Sequence, residues 1–254
     1  MTTVAPLPVA SITPPTSITA TREIYRLIVR SLATRGRIAA LVLLGAVAIL
    51  IGLAVGLSRP DDPAKVAHDL VDGYGLGLLA PVTALVFASA ALGDLVDDKT
   101  LVYLWLTPVR RLRITLAALA AAATVAVPMA VIPVTTGAAL SRVGVDMMLG
   151  AAASSALATA AYTSLFLALG LRVRRALPWG LAYVLIWEGA VARVARGAAR
   201  ISVDIYARSV LSTISKFPKP TYGVDLPLAV GFPIVVTVLG IVLTNRWLGR
   251  AEVD

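Results

Sequence analysis

Three aspartates, Asp94, Asp97 and Asp98, stand ahead of an apolar run from Leu101 to Leu106 that carries Tyr103 and Trp105. Pro108, Arg110, Arg111 and Arg113 follow it. Acids favour the N-terminal end of a helix and proline stops one. The spacing over 94–108 therefore predicts a short helix, acidic at one end and basic at the other, with aromatic side chains to offer a soluble partner's groove. A plain loop capping two membrane spans uses the same residues. Glu188, in Leu185-Ile186-Trp187-Glu188-Gly189, is the second candidate. An acid at membrane depth is by default a functional residue, and Arg193 and Arg196 lie within two turns to neutralise it. Trp187 marks an interface instead, where Glu188 would hold the turn that follows. An outer gate and an interfacial anchor both remain open.

Other chemistries fall away on residue counts. The chain has no cysteine and one histidine, His68, so neither thiolate chemistry nor a multi-His metal site can be built within it. G-x-x-x-x-G-K-[ST] does not occur, so no P-loop binds ATP here. No cofactor is expected on this chain. His68, among Asp61, Asp62, Asp69 and Asp72, reads as a solvated surface side chain.

The elements that must position these residues are apolar. Of 254 residues 58% are hydrophobic and 15% charged, and the mean hydropathy is +0.86; soluble domains are about 45–50% apolar and about 25% charged. Six apolar runs, near 38–57, 74–93, 114–140, 148–171, 176–192 and 228–248, approach the length of about 20 residues that crosses a bilayer. The predicted fold is all-α and integral to the membrane, with six spans over 38–254. Residues 1–21, rich in Thr, Ser, Pro and Ala, read as a flexible tail and not as a secretory signal. Over 22–37, Arg22, Arg26 and Arg30 recur on one face and Tyr25, Ile28 and Leu32 on another. That pattern predicts an amphipathic helix lying in the membrane interface.

With both termini in the cytoplasm, the first three inner segments carry twelve Lys/Arg and the first two outer ones three, as the positive-inside rule requires. The net charge of +9 then reflects cytoplasmic loops and anionic lipid, with no call for nucleic acid. The loop 193–227 goes against the rule. Its Arg193, Arg196, Arg200, Asp204 and Arg208 at helical spacing predict amphipathic helices resting on the outer leaflet. Gly52 and Gly56, with Gly45 a heptad earlier, permit a close helix contact within the chain or between copies.

The topology and the 94–113 stretch together resemble the permease family of ABC-2 type transporters. The residues that carry the likeness are Asp94, Asp97 and Asp98, then Thr100-Leu101, Leu104, Leu106 and Pro108-Val109-Arg110-Arg111. Lys99 stands where that family usually has glycine, and aspartates replace its usual glutamates. The resemblance implies six spans behind an "elbow" helix, with Arg22, Tyr25, Arg26 and Arg30 as a second contact. It also implies separate ATP-binding-cassette ATPase subunits that hold ATP and magnesium, and a second permease copy or a sister permease. Coupling would then pass through Asp94 to Arg111, with Lys99, Tyr103 and Trp105 in the docking helix. The location implied is the inner cell membrane, and the cargo a hydrophobic or amphipathic compound. An ion exporter, an intramembrane enzyme and a scaffold for an ATPase are the rival readings.

Overall fold

The computed structural model describes residues 17–58, 60–97, 110–191 and 196–250. Among these all regular structure is helical. Helix α1 (Ser17–Leu32) buries Ile24, Ile28 and Leu32 and leaves Arg22, Arg26 and Arg30 exposed. It starts and stops five residues earlier than the spacing over 22–37 suggests. The chain breaks at Ala33 and Thr34, and Arg35 and Arg37 belong to α2 (Arg35–Ser58). Thr34 accepts the first bond of that helix, from the Ile38 amide at 3.0 Å.

Pro63–Asp69 forms α3, with Asp62 as its cap accepting from the Lys65 amide at 3.0 Å. The rod runs on through a wide-turn π segment (Leu70–Leu79) into α4 (Ala80–Asp97). The second span therefore begins eleven residues before the expected 74. Asp62, Lys65, His68, Asp69 and Asp72 hide its first turns from a hydropathy reading. Helix α5 (Arg111–Leu140) continues through Pro128 and Pro133. Helix α6 (Val145–Arg172) is the central post, packed against α4, α5, α9 and α10.

Five helical stretches are long and apolar enough to cross a membrane: Arg35–Ser58, Pro63–Val96, Arg111–Leu140, Val145–Arg172 and Leu226–Leu248. The last is α10. The crossing expected near 176–192 is different. Helix α7 (Ala176–Ala182) and a second π segment (Tyr183–Val191) together reach at most about 24 Å, short of a hydrocarbon core of about 30 Å. After α8 (Arg196–Ala199), helix α9 (Val203–Ser215) takes the chain onward. Its far end meets the start of α6, where Lys216 pairs with Asp146 at 2.7 Å.

Helix α9 corrects the expectation of a surface element over 193–227. Val203 to Ala207, Ser209 and Val210 to Ser212 are all buried, and Tyr206 stacks on Phe232 of α10 with centroids 4.1 Å apart. The helix lies inside the bundle. Close packing elsewhere rests on small residues, since helices in lipid gain by backbone approach. A Cβ on Gly52 would collide with the Gly137 backbone, one on Gly56 with Leu140 and one on Gly170 with Ser89. The Gly45, Gly52 and Gly56 stripe is thus a seam between α2 and α5 within one chain.

Candidate functional site

Glu188 sits in the second π segment at 4% exposure. The Tyr183 hydroxyl donates to Oε1 at 2.9 Å, the Val203 amide donates to the same oxygen at 3.2 Å, and the Ser202 hydroxyl donates to Oε2. Ser202 also caps α9, accepting from the Ile205 amide at 3.3 Å. The carboxylate therefore sits at the N-terminus of α9, where orphan amides and the helix dipole favour a negative charge. Tyr162 of α6, 1% exposed, stands beside it. Tyr162 lies seventeen residues from Val145 and ten from Arg172, so about 25 Å and about 15 Å from the two ends of that post. Glu188 is thus buried level with the middle stretch of α6.

One to two turns along α9, Arg208 bridges two elements. Its Nε donates to Asp204 at 2.6 Å, its Nη1 to Asp72 of the first π segment, and its Nη2 to the Asp72 carbonyl at 3.1 Å. Arg208 and Asp204 are 11% and 2% exposed at their side chains. A buried pair this well bonded is costly to break, because removing one member strands the other's charge. Both π segments contribute an acid, Asp72 from one and Glu188 from the other. Wide turns of this kind are rare and tend to mark functional sites.

What this node can do chemically is to clasp. Glu188 ties the short crossing to α9, and Arg208 ties α9 to the long rod. Among the described residues no group of three or more His, Cys, Asp or Glu is arranged to hold a metal ion. His68 is not solvated as expected: it stacks on Phe217 with centroids 4.5 Å apart, and its Nε2 is buried with no hydrogen-bond partner among the described residues. At the rim beyond α9, hydrogen bonding from Lys219 at 2.6 Å holds the Asp225 carboxyl below the usual aspartate range.

Of the residues expected to couple to a partner, Asp94, Arg110 and Arg111 are described and stand at the other end of the bundle. Arg37 of α2 donates through Nη2 to both oxygens of Asp94, at 2.9 and 3.3 Å. Arg110 is exposed at the start of α5, and Arg111 donates to the Gly249 carbonyl at 3.1 Å, just past α10. Asp97 ends α4. Asp98, Lys99, Thr100, Leu101, Tyr103, Leu104, Trp105 and Pro108 lie outside the described residues, as does Arg193; of Arg196 only the backbone is described. In α1, Arg26 pairs with Glu23 at 3.3 Å, and the Tyr25 hydroxyl donates to Thr124 Oγ1 at 3.1 Å.

Asp72, Tyr183, Ser202, Asp204 and Arg208 escaped the sequence reading of the site. One signal was present: Ser202 followed by Asp204 is a cap with an acid in the first turn, which marks where α9 starts inside the loop. The fold and the node define a class at coarse grain, an all-helical protein built to sit in a membrane. No protein-family model matches the chain, and no curated protein matches it.

Proposed function

We propose that the chain is the permease subunit of an ABC-2 type exporter. It works with a second copy or a sister permease and with separate ATPase subunits that carry ATP and magnesium. The cargo is a hydrophobic or amphipathic compound, drug-like or lipid-like. Both termini face the cytoplasm of the inner cell membrane, the orientation that puts residues 94–111 within a soluble partner's reach.

The observation that carries this reading is how that segment is anchored. Its first residue, Asp94, is tied to α2 through Arg37, and Arg111 at its far side is tied to the end of α10. A push on the segment therefore reaches two spans directly. Alternating access needs two membrane arrangements biased by nucleotide, and the clasped half-crossing at Glu188 is the element suited to move between them. Glu188 then belongs to a gate, fastened by Tyr183 and Ser202.

An ABC-driven ion exporter is the second reading, favoured by Glu188, Asp204 and Asp72 inside the bundle, since acids at that depth mark ion paths. The test is purification from the native host in mild detergent. A stoichiometric P-loop ATPase should accompany the chain, and Asp97→Lys with Asp98→Lys should lower cargo-stimulated hydrolysis about tenfold, or about 1.4 kcal/mol of coupling, with the chain still inserted. Recovery of the chain without an ATPase in several detergents, or coupled hydrolysis unchanged in the double variant, rejects the reading. Stimulation by an ion in place of an amphiphile selects the second.

A further inference from the structure

A cavity of about 420 Å³ opens at the Asp94 end, between the last turns of α4 and α6 and the first turn of α7. Its charged wall is Arg37, Asp94 and Arg175, and its apolar wall includes Val86, Ala90 and Leu177. Along its inner wall Ser89 and Gly170 pack so closely that a Cβ on Gly170 would collide with Ser89, and farther into the bundle a Cβ on Gly180 would collide with Leu85. Below it, Leu177 and Trp179 are 48% and 64% exposed on the outer face of α7. The cavity is thus a blind slot, apolar along its length and cationic at one side, open beside an apolar helix surface.

Two arginines and one aspartate line the slot, and Arg37 pairs with the carboxylate. Arg37 directs Nη2 to both Asp94 oxygens, and its Nη1 is buried with no hydrogen-bond partner among the described residues. Arg175 is exposed and is held in the left-handed region, φ 55° and ψ 54°, at the junction of α6 and α7. A non-glycine residue pays strain to stand in that region, and here it sets a cation at the rim of the slot. Among the described residues that line it, two positive charges stand against one negative. A small aqueous anion would leave the apolar wall unmatched, and a neutral lipid would leave the charge unmatched.

We infer that this slot binds an anionic amphiphile, with a phosphate- or sulfate-like headgroup between Arg37 and Arg175 and an apolar tail along Val86, Ala90 and Leu177. The inference needs only a membrane-embedded chain and not the transporter reading. The same chemistry has two sources, a membrane phospholipid and a single-chain compound of the cargo type. A bound headgroup competes with Asp94 for Arg37, so occupancy loosens the tether on the segment that begins at Asp94.

The test uses the full chain in phosphatidylcholine nanodiscs, titrated with dodecyl phosphate and read by native mass spectrometry. Binding should saturate. Arg175→Gln and Arg37→Gln should each weaken it about tenfold, as expected for loss of a charge-assisted bond. Arg175→Lys should restore part of it, and Lys216→Gln at the other end should leave it unchanged. Asp94→Asn should tighten binding several-fold by removing the competitor, an outcome that no misfolded variant produces. Displacement by added phosphatidylglycerol identifies a membrane phospholipid as the occupant, and binding that persists in its presence identifies a single-chain amphiphile. Unsaturable binding, or binding indifferent to both arginines, overturns the inference, and weaker binding in Asp94→Asn overturns the competition.

Discussion

At the scale of the residue, Glu188 shows how a carboxylate is made tolerable inside an apolar bundle. It accepts from two hydroxyls and one backbone amide, and charge-assisted bonds of this kind are about twice as strong as neutral ones. Glu188→Ala should strand all three donors and lower stability by about 3 kcal/mol, since each buried unsatisfied group costs about 1–3 kcal/mol. Glu188→Gln keeps the shape and one acceptor and should cost about 1 kcal/mol. Thermal unfolding in mild detergent measures both. An alanine variant as stable as the parent would remove the clasp from the account. If the node also gates, the glutamine variant lowers transport more than it lowers assembly. Arg208 obeys the same logic with its sign reversed, as a cation that two acids from different elements hold in place.

At the scale of the element, the seam between α2 and α5 and the open face of α10 make opposite predictions for one substitution. Gly52→Ala drives a methyl into the Gly137 backbone and should lower the unfolding midpoint by an amount equivalent to about 2 kcal/mol. Gly231→Ala meets nothing within 4 Å and should be neutral or stabilising by up to about 1 kcal/mol, the helix propensity difference. Equal effects at the two sites would show that the seam is not close-packed. The long spans were readable because apolar length alone specifies them, and the amphipathic face of α1 was readable from Tyr25, Ile28 and Leu32 at helical spacing, although Ile24 and not Tyr25 is the buried member beside Ile28 and Leu32. Helix α9 was not. Its Asp204 and Arg208, read as part of amphipathic helices resting on the outer leaflet, pair with each other, and Arg208 also pairs with Asp72, 136 residues away in sequence, and no local pattern encodes that partner. The start of the second span was hidden for a related reason, since the charges on α3 belong to a continuous rod that only tertiary packing makes whole. The cavity at Arg37 and Arg175 joins four helices, α2, α4, α6 and α7, and had no signature in any one of them.

At the scale of the whole molecule, a single post, α6, takes a larger share of the packing than any other described helix, and α9 stands buried against it with polar ties to both π segments. Orientation in the membrane follows from a single reporter, because the chain has no cysteine of its own. Asp62→Cys, at the cap of α3, should react with an impermeant maleimide added to intact cells. Reaction only in inside-out vesicles would invert the proposed topology, and with it the side from which a soluble partner docks.

The glycine seam also bears on how the chain is made. Gly52 leaves the ribosome about 85 residues before Gly137, the backbone it must meet. At synthesis rates of about 5–20 residues per second that gap is roughly 4–17 s. During this interval α2 is already long enough to enter the bilayer while its notched face has no counterpart. Whatever occupies that face in the meantime, an insertase helix or a lipid tail, must leave when α5 arrives. Slowing translation between these two helices should therefore change the yield of inserted protein more than slowing it after Leu140.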